Sequence, residues 1–244
     1  MKRLFMLNIL VLWLMPLSAF ALDGNELLRA IDANLNPESF EMYRKLINIE
    51  PDGSKKEFIM YSVKKGRDKI ASIFLSPASE KGRSTLRVGE NMWLYIPNVG
   101  RPIRITSLQS VTGGIFNNAD IMRLDYNEEY SCENVEMGEG FYLLHLKAKT
   151  GAVAYDRIKM WADQSNLLPT KIECYASSGI LLKTLHFKEI KAFSDNLIRP
   201  SVIETDSPIY KGYRSIMIFA KVKEAELKDE VFTLAFMPKL ESLR

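Results

Sequence analysis

The residues best suited to chemistry are two histidines, two cysteines and a group of carboxylates. His145 and His186 lie in separate strand-like runs, with no cysteine or carboxylate at metal-ligand spacing beside either. Each reads as a strand residue with an ordinary partner rather than a general base or a ligand. There is no Gly-x-Ser-x-Gly elbow, and no serine sits in a context that would activate it. Gly113-Gly114 lacks the lysine and the helix start by which a phosphate loop holds its anion. Asp125, Glu128, Glu129 and Glu133 are grouped as calcium ligands can be, but without the Asp-x-Asp-x-Asp-Gly framework they read as a solvated loop. Lys55-Lys56 and Lys64-Lys65 flank a strand and read as edge or surface charges. Cys132 and Cys174 fall on separate predicted strands, and their spacing leaves open both a bridge and two buried thiols. The expectation is a protein with no catalytic residues, no metal and no cofactor.

If the chain does not catalyse, it binds, and its address bears on what it meets. Lys2-Arg3, the apolar run from Leu4 to Met15 and the small-residue site Ala19-Phe20-Ala21 have the three parts of an export signal. The apolar run is short of the roughly 20 residues that span a bilayer, so cleavage after Ala21 is expected. That leaves residues 22–244 as one domain in a compartment that permits disulfides. No cysteine follows the cleavage site, so no lipid anchor is expected there. The formal charge of +3 drops by two when Lys2 and Arg3 leave, and the remaining charges are evenly mixed. That is no footprint for nucleic acid, which needs a concentrated basic face.

The elements follow from periodicity. Asp23-Gly24-Asn25-Glu26 reads as a capping box, Leu27, Leu28, Ile31 and Leu35 recur at helical spacing, and Asn36-Pro37 ends the helix. Strands are predicted over 40–50, 56–65, 67–76, 84–88, 92–96, 102–106, 130–137, 141–148, 154–162, 169–176, 180–190, 214–222 and 231–235, with 224–229 helical or irregular. Between the sixth and seventh strands the chain turns small, polar and glycine-bearing. Asn118-Ala119-Asp120 then starts a short helix with an apolar side at Ile121, Met122 and Leu124. So many short strands with so little helix predict one antiparallel sheet that must curl around its helices, with a wet outer face.

Alternation supports a one-sided sheet. Leu86 and Val88 oppose Thr85 and Arg87. Ile158 and Met160 oppose Arg157 and Lys159, and Ile172 and Cys174 oppose Lys171 and Glu173. Ile216, Ile218 and Ala220 form another apolar row. Along 67–76 both faces are apolar, Ile70 and Phe74 on one and Ala71, Ile73 and Leu75 on the other, and Trp93 is ambiguous in the same way.

The run Gly89, Trp93-Leu94-Tyr95, Pro97, followed by a basic strand, Ser107 and Ser110, then Gly113-Gly114, Phe116 and Asp120, resembles the LolA-like outer-membrane lipoprotein-sorting family. Phe74-Leu75-Ser76-Pro77, Leu168-Pro169-x-Lys171 and Gly179-x-Leu181-Leu182-Lys183-Thr184-Leu185 fit the same pattern. The resemblance implies an incomplete barrel closed by a lid of short helices. It implies a monomeric periplasmic carrier that takes the acyl chains of a lipoprotein, or a lipid, from an inner-membrane transporter to an outer-membrane acceptor. Ile70, Phe74, Leu86, Val88, Trp93, Ile158, Met160 and Ile172 would line its cavity, with Phe116, Ile121, Met122 and Leu124 on the lid. Ile70 and Phe74 are turned inward by that resemblance alone. The best-known carrier locks its lid with an arginine in a basic-Pro-Asn turn. The turn here reads Lys64-Lys65-Gly66-Arg67-Asp68, so that role does not pass to Arg67. The alternative is a periplasmic sensor of mislocalised lipoproteins that signals through a protein partner.

Overall fold

The computed structural model describes residues 23–244; the export signal and its cleavage after Ala21 lie outside the described residues. Helix α1 (Gly24–Leu35) starts at Asp23, whose carboxylate accepts from the amides of Asn25 and Glu26 at 2.8 and 3.4 Å. Its face of Leu27, Leu28, Ile31 and Leu35 is buried, as a helix too short to stand alone requires.

Six strands follow, β1 (Ser39–Ile49), β2 (Lys55–Lys65), β3 (Lys69–Ser76), β4 (Ser84–Val88), β5 (Asn91–Tyr95) and β6 (Pro102–Ile105). Two single-turn helices, α2 (Asn118–Ile121) and α3 (Tyr126–Glu129), come next. The chain then runs through β7 (Tyr130–Met137), β8 (Phe141–Ala148), β9 (Arg157–Asp163), β10 (Pro169–Tyr175), β11 (Leu181–Ser194), β12 (Leu197–Asp206) and β13 (Arg214–Glu224). Two 3-10 helices, Asp229–Phe232 and Met237–Leu243, complete it.

All thirteen strands form one antiparallel, unclosed sheet, in the order β6-β5-β4-β3-β2-β1-β13-β12-β11-β10-β9-β8-β7. Every neighbour is the next strand in sequence except the central pair, where β1 meets β13, Phe40 opposite Glu224 and Ile49 opposite Arg214. The two edges, β6 and β7, are therefore consecutive strands. The segment that joins them, 106–129, holds both α2 and α3.

Two apolar layers result. The larger holds α1, the 106–129 segment and one face of the sheet, including Phe40, Met42, Leu46, Met60, Ile70, Phe74, Met92, Leu144, Ile158, Met160 and Ile172. The smaller lies on the opposite face of β2–β5, where Tyr61, Val63, Ala71, Ile73 and Leu86 are covered by Val231, Phe232, Met237 and Leu240 of the 3-10 helices. Ser84 Oγ donates to the Met237 carbonyl at 3.0 Å, fixing that cover. The outer face of these strands is thus not wet as expected, and the double apolar pattern of β3 is explained: both of its faces are packed.

Two strand expectations fail. Residues 231–235 do not form a strand; Asp229–Phe232 is 3-10 helix lying over the outer layer, away from either sheet edge. The unexpected strand is β12, which contains Pro200. Its ladder with β13 covers only Val202 to Thr205, so Pro200 pairs with Ile190 of β11 alone and its missing N–H breaks no second ladder.

Candidate functional site

The 106–129 segment connects the two sheet edges, folding back on its own start just after β6 and bonding to the loop after β8. On the β6 side, the Asn118 amide side chain donates to the Thr106 carbonyl at 2.8 Å, and the Ala119 N–H donates to Ser107 O at 3.1 Å. On the β7 side, Lys149 N donates to Glu129 O at 2.9 Å, and Ser107 Oγ donates to Ala152 O at 2.9 Å. Helix α2 carries a complete capping box, Asn117 and Asp120 exchanging bonds with each other's backbone N–H at 3.1 and 2.9 Å. Its apolar side and flanks, Phe116, Ile121, Met122 and Leu124, are all buried against the concave layer.

Beneath that lid lies a cavity of about 50 Å³. Ile70, Ile158 and Ile172 line it from the sheet, and Phe116 and Ile121 from the lid. Phe74, Met160, Met122 and Leu124 belong to the same apolar layer without reaching the cavity wall. Leu86, Val88 and Trp93 are on the other side of the sheet, packed in or against the outer layer. The assignment of these three to the cavity is corrected by the alternation itself: Leu86 pairs with Trp93 outward, while the next pair, Arg87 and Met92, faces inward. The same inversion holds in β13, where Ser215, Met217 and Phe219 are buried and Ile216 and Ile218 are only partly so. In both strands the more polar row faces in.

That polar row is what sequence reasoning missed. Lys64, taken as a surface charge, is 1% exposed and holds Asp125 of the lid at 2.8 Å. Arg87 Nη1 donates to the Met122 carbonyl at 3.2 Å, and Nη2 to Glu129 at 2.5 Å. Lys183 Nζ donates to the Ile115 carbonyl at 2.6 Å and to Asp120 at 2.7 Å, while Tyr155 donates its hydroxyl to the other Asp120 oxygen at 2.8 Å. Asn48 of β1 donates to the carbonyls of Thr112 and Gly113 at 3.1 and 3.0 Å, and the Ser215 hydroxyl accepts the Ile115 N–H at 3.0 Å. Gly114 has φ +73°, and a Cβ there would overlap the Asn48 carboxamide, so only glycine fits. The lid is fastened by several polar latches instead of one arginine. Arg67 stays largely exposed, 3.6 Å from Glu128.

The carboxylate group of the lid loop is likewise not solvated as a whole. Asp125 and Glu129 are consumed by Lys64 and Arg87, and Glu133 pairs with Arg157 at 2.6 Å. Among the described residues, no cluster of three or more His, Cys, Asp or Glu side chains is placed to hold a metal. His145 and His186 pair with Glu136 and Asp206 at 2.8 and 3.2 Å, away from the cavity lining. Cys132 and Cys174 are both free thiols; burial pushes the Cys174 thiol far up, which leaves it unreactive.

Helix α1 contributes Asp32, which accepts the N–H groups of Tyr126 and Asn127 at 2.9 and 2.8 Å and so ties α1 to the start of α3. Burial raises its pKa to about 7, against the opposing pull of those two N–H bonds.

A family model described only as an uncharacterized protein matches residues 66–239. No curated protein matches the sequence. Among solved structures, a LolA superfamily protein from Nitrosomonas europaea superposes with a TM-score of 0.80 at 27% identity, over 88% of this chain and 100% of that one. An outer-membrane lipoprotein-sorting protein domain from Vibrio parahaemolyticus gives 0.76 at 21%, over 88% and 98% of the two chains. A DUF1329 family protein from Desulfovibrio piger gives 0.75 at 20%, over 88% and 97%. The last two speak for the fold alone.

Proposed function

We propose that this chain, which shares its fold and 27% of its sequence with a LolA superfamily protein, is a periplasmic carrier that shelters acyl chains against its concave sheet face. The observation that carries this reading is the lid: an apolar segment connecting the two sheet edges over a cavity too small for cargo. At about 50 Å³ that cavity has room for a few water molecules. Small-molecule sites take roughly 300 Å³ or more, so an acyl chain enters only as the lid leaves.

The exchange is close to balanced. Burial of Phe116, Ile121, Met122 and Leu124 contributes roughly 6–12 kcal/mol at about 1.5–3 kcal/mol each. A sixteen-carbon chain at about 0.8 kcal/mol per CH₂ gains roughly 12 kcal/mol on taking their place. The latches change this little, because a buried ion pair that opens to water recovers the solvation it had lost. A carrier has to release what it binds, and near-equality of the two states permits it. Uptake from an inner-membrane transporter and delivery to an outer-membrane acceptor, by a monomer without cofactor or metal, complete the proposal.

Native mass spectrometry of the exported chain, purified from periplasm without detergent, tests it. A mass excess released as lipid or acylated peptide on denaturation supports the carrier. A clean unliganded mass, persisting after incubation with acyl lipids and membranes, overturns it.

A further inference from the structure

The cavity is apolar only in part. Three arginines line it from three directions: Arg44 on β1, Arg123 on the lid and Arg199 on β12. Arg44 is 3% and Arg199 1% exposed. Among the described residues, no carboxylate lies within ion-pair distance of any of the three, while each lysine, aspartate and glutamate that latches the lid has a partner of its own.

Their bonds are to neutral groups. Arg44 donates to the hydroxyls of Ser62 and Ser72 at 3.1 and 3.2 Å and reaches the Met217 sulfur at 3.8 Å, and its buried Nε has no partner. Arg123 donates to the Tyr126 hydroxyl at 2.7 Å and lies over that ring. Arg199 donates to the Asn36 side-chain oxygen and the Pro200 carbonyl, and lies over the Phe219 ring at 4.3 Å. Burial, together with the like charges of the other arginines, pushes Arg44 and Arg199 down to about 9, so both remain cations at neutral pH. Ser72 stands opposite Ser62 on β2 and Thr85 on β4, and the Thr85 hydroxyl is also buried without a partner. A polar stripe thus crosses an otherwise apolar face.

Two buried arginines and a half-buried third around one cavity, with the Arg44 Nε unpartnered and the two carboxylates of the same wall, Asp120 and Glu129, held by Lys183 and Arg87, are costly for a protein whose cargo is hydrocarbon alone. We propose that the cargo is an acyl lipid with an anionic oxyanion head, a phosphate or a carboxylate, which sits among Arg44, Arg123 and Arg199 while its chain replaces the lid. This rests on the carrier reading above and narrows its cargo. Arg123 belongs to the lid, so it would leave or follow the head when the lid swings; Arg44 and Arg199 are on the sheet and stay.

The test is calorimetric titration of delipidated protein, residues 22–244, with four probes: palmitoyl lysophosphatidic acid, palmitate, monopalmitin and inorganic phosphate. The two lipids with glycerol differ only in the phosphate. One guanidinium–oxyanion hydrogen bond is worth roughly tenfold or more in affinity. The expected result is at least a roughly tenfold preference for lysophosphatidic acid over monopalmitin, collapsing toward parity in Arg44→Met and Arg199→Met. Palmitate binding alongside identifies the shared oxyanion; its failure assigns the site to phosphate. Equal affinity for monopalmitin and lysophosphatidic acid keeps the carrier and overturns the anionic head, and this comparison needs no variant to fold. Arginine-dependent binding of inorganic phosphate with no lipid bound overturns the carrier and keeps an anion site. No binding of any probe overturns both.

Discussion

At the scale of single residues, the closed lid depends on charges that have no water to fall back on. Lys183 and Asp120 are both almost fully buried and 2.7 Å apart. Removing one leaves the other stranded, which costs about 3–5 kcal/mol in the folded state. Lys183→Met should therefore lower the melting temperature by several degrees, and the double change with Asp120→Asn should recover most of the loss. A double variant no better than the single would show that the pair is not coupled.

Asp32 gives the residue scale a pH dependence. Between its unfolded value of 3.8 and about 7, the folded protein keeps a proton that the unfolded chain has released. Stability from this group is therefore fully present below pH 4 and is lost as pH rises through about 7. Thermal melts from pH 4 to 8 should show the native protein losing stability across that window. Asp32→Asn should flatten that component, and an unchanged slope in the variant would assign it elsewhere. Asp120 and Lys183 stood out in the sequence as motif residues, but neither their burial and pairing nor the role of Asp32 could be read from it. A lysine or aspartate in a chain looks solvated until the fold supplies its partner, and Asp120 and Lys183 are joined only by the folded sheet and lid.

At the scale of elements, legibility followed the number of packed faces. Helix α1 and strands β9 and β10 have one clear apolar row, and their existence and inward residues Ile158, Met160 and Ile172 were readable. Strand β4 was readable as a strand but inverted. A second apolar layer waits for it at the C-terminal end of the chain, and periodicity says which residues share a face, not which face is inner. That layer makes a prediction. Leu240→Ala, at a residue 1% exposed, should cost about 2–5 kcal/mol in a denaturant melt. Because the change lies on the far side of the sheet, acyl-lipid affinity measured well below the melting temperature should stay put; a parallel loss of binding would mean the outer layer shapes the cavity.

The lid element answers to a different change. Gly114→Ala puts a side chain at φ +73° and against Asn48, so the 112–115 loop should lift from β1. Hydrogen exchange of the 106–129 amides should quicken by roughly tenfold for each 1.4 kcal/mol lost, with the β-sheet core amides unchanged. Uniform acceleration across the sheet would mean that the lid is no separate unit.

At the scale of the molecule, the expectation of a curled antiparallel sheet around a few helices held, since short alternating runs separated by turn residues admit few other arrangements. The order of its strands could not be foreseen: that β1 would pair with β13 is a long-range contact at the middle of the sheet, set by no local pattern.

That one pairing makes the strand order cyclic in sequence, cut only at the lid. A circular permutant that begins at Gly114, with Arg244 joined to Asp23 by a linker long enough to round the strand ends, would run β7 to β13 and then β1 to β6, so that every strand follows its spatial neighbour. The longest loop to be closed in folding disappears, and refolding should speed up because distant pairings are what slow sheet proteins. The same cut splits the lid into two free tails, so the permutant should fold faster than the natural chain while leaving its concave face uncovered.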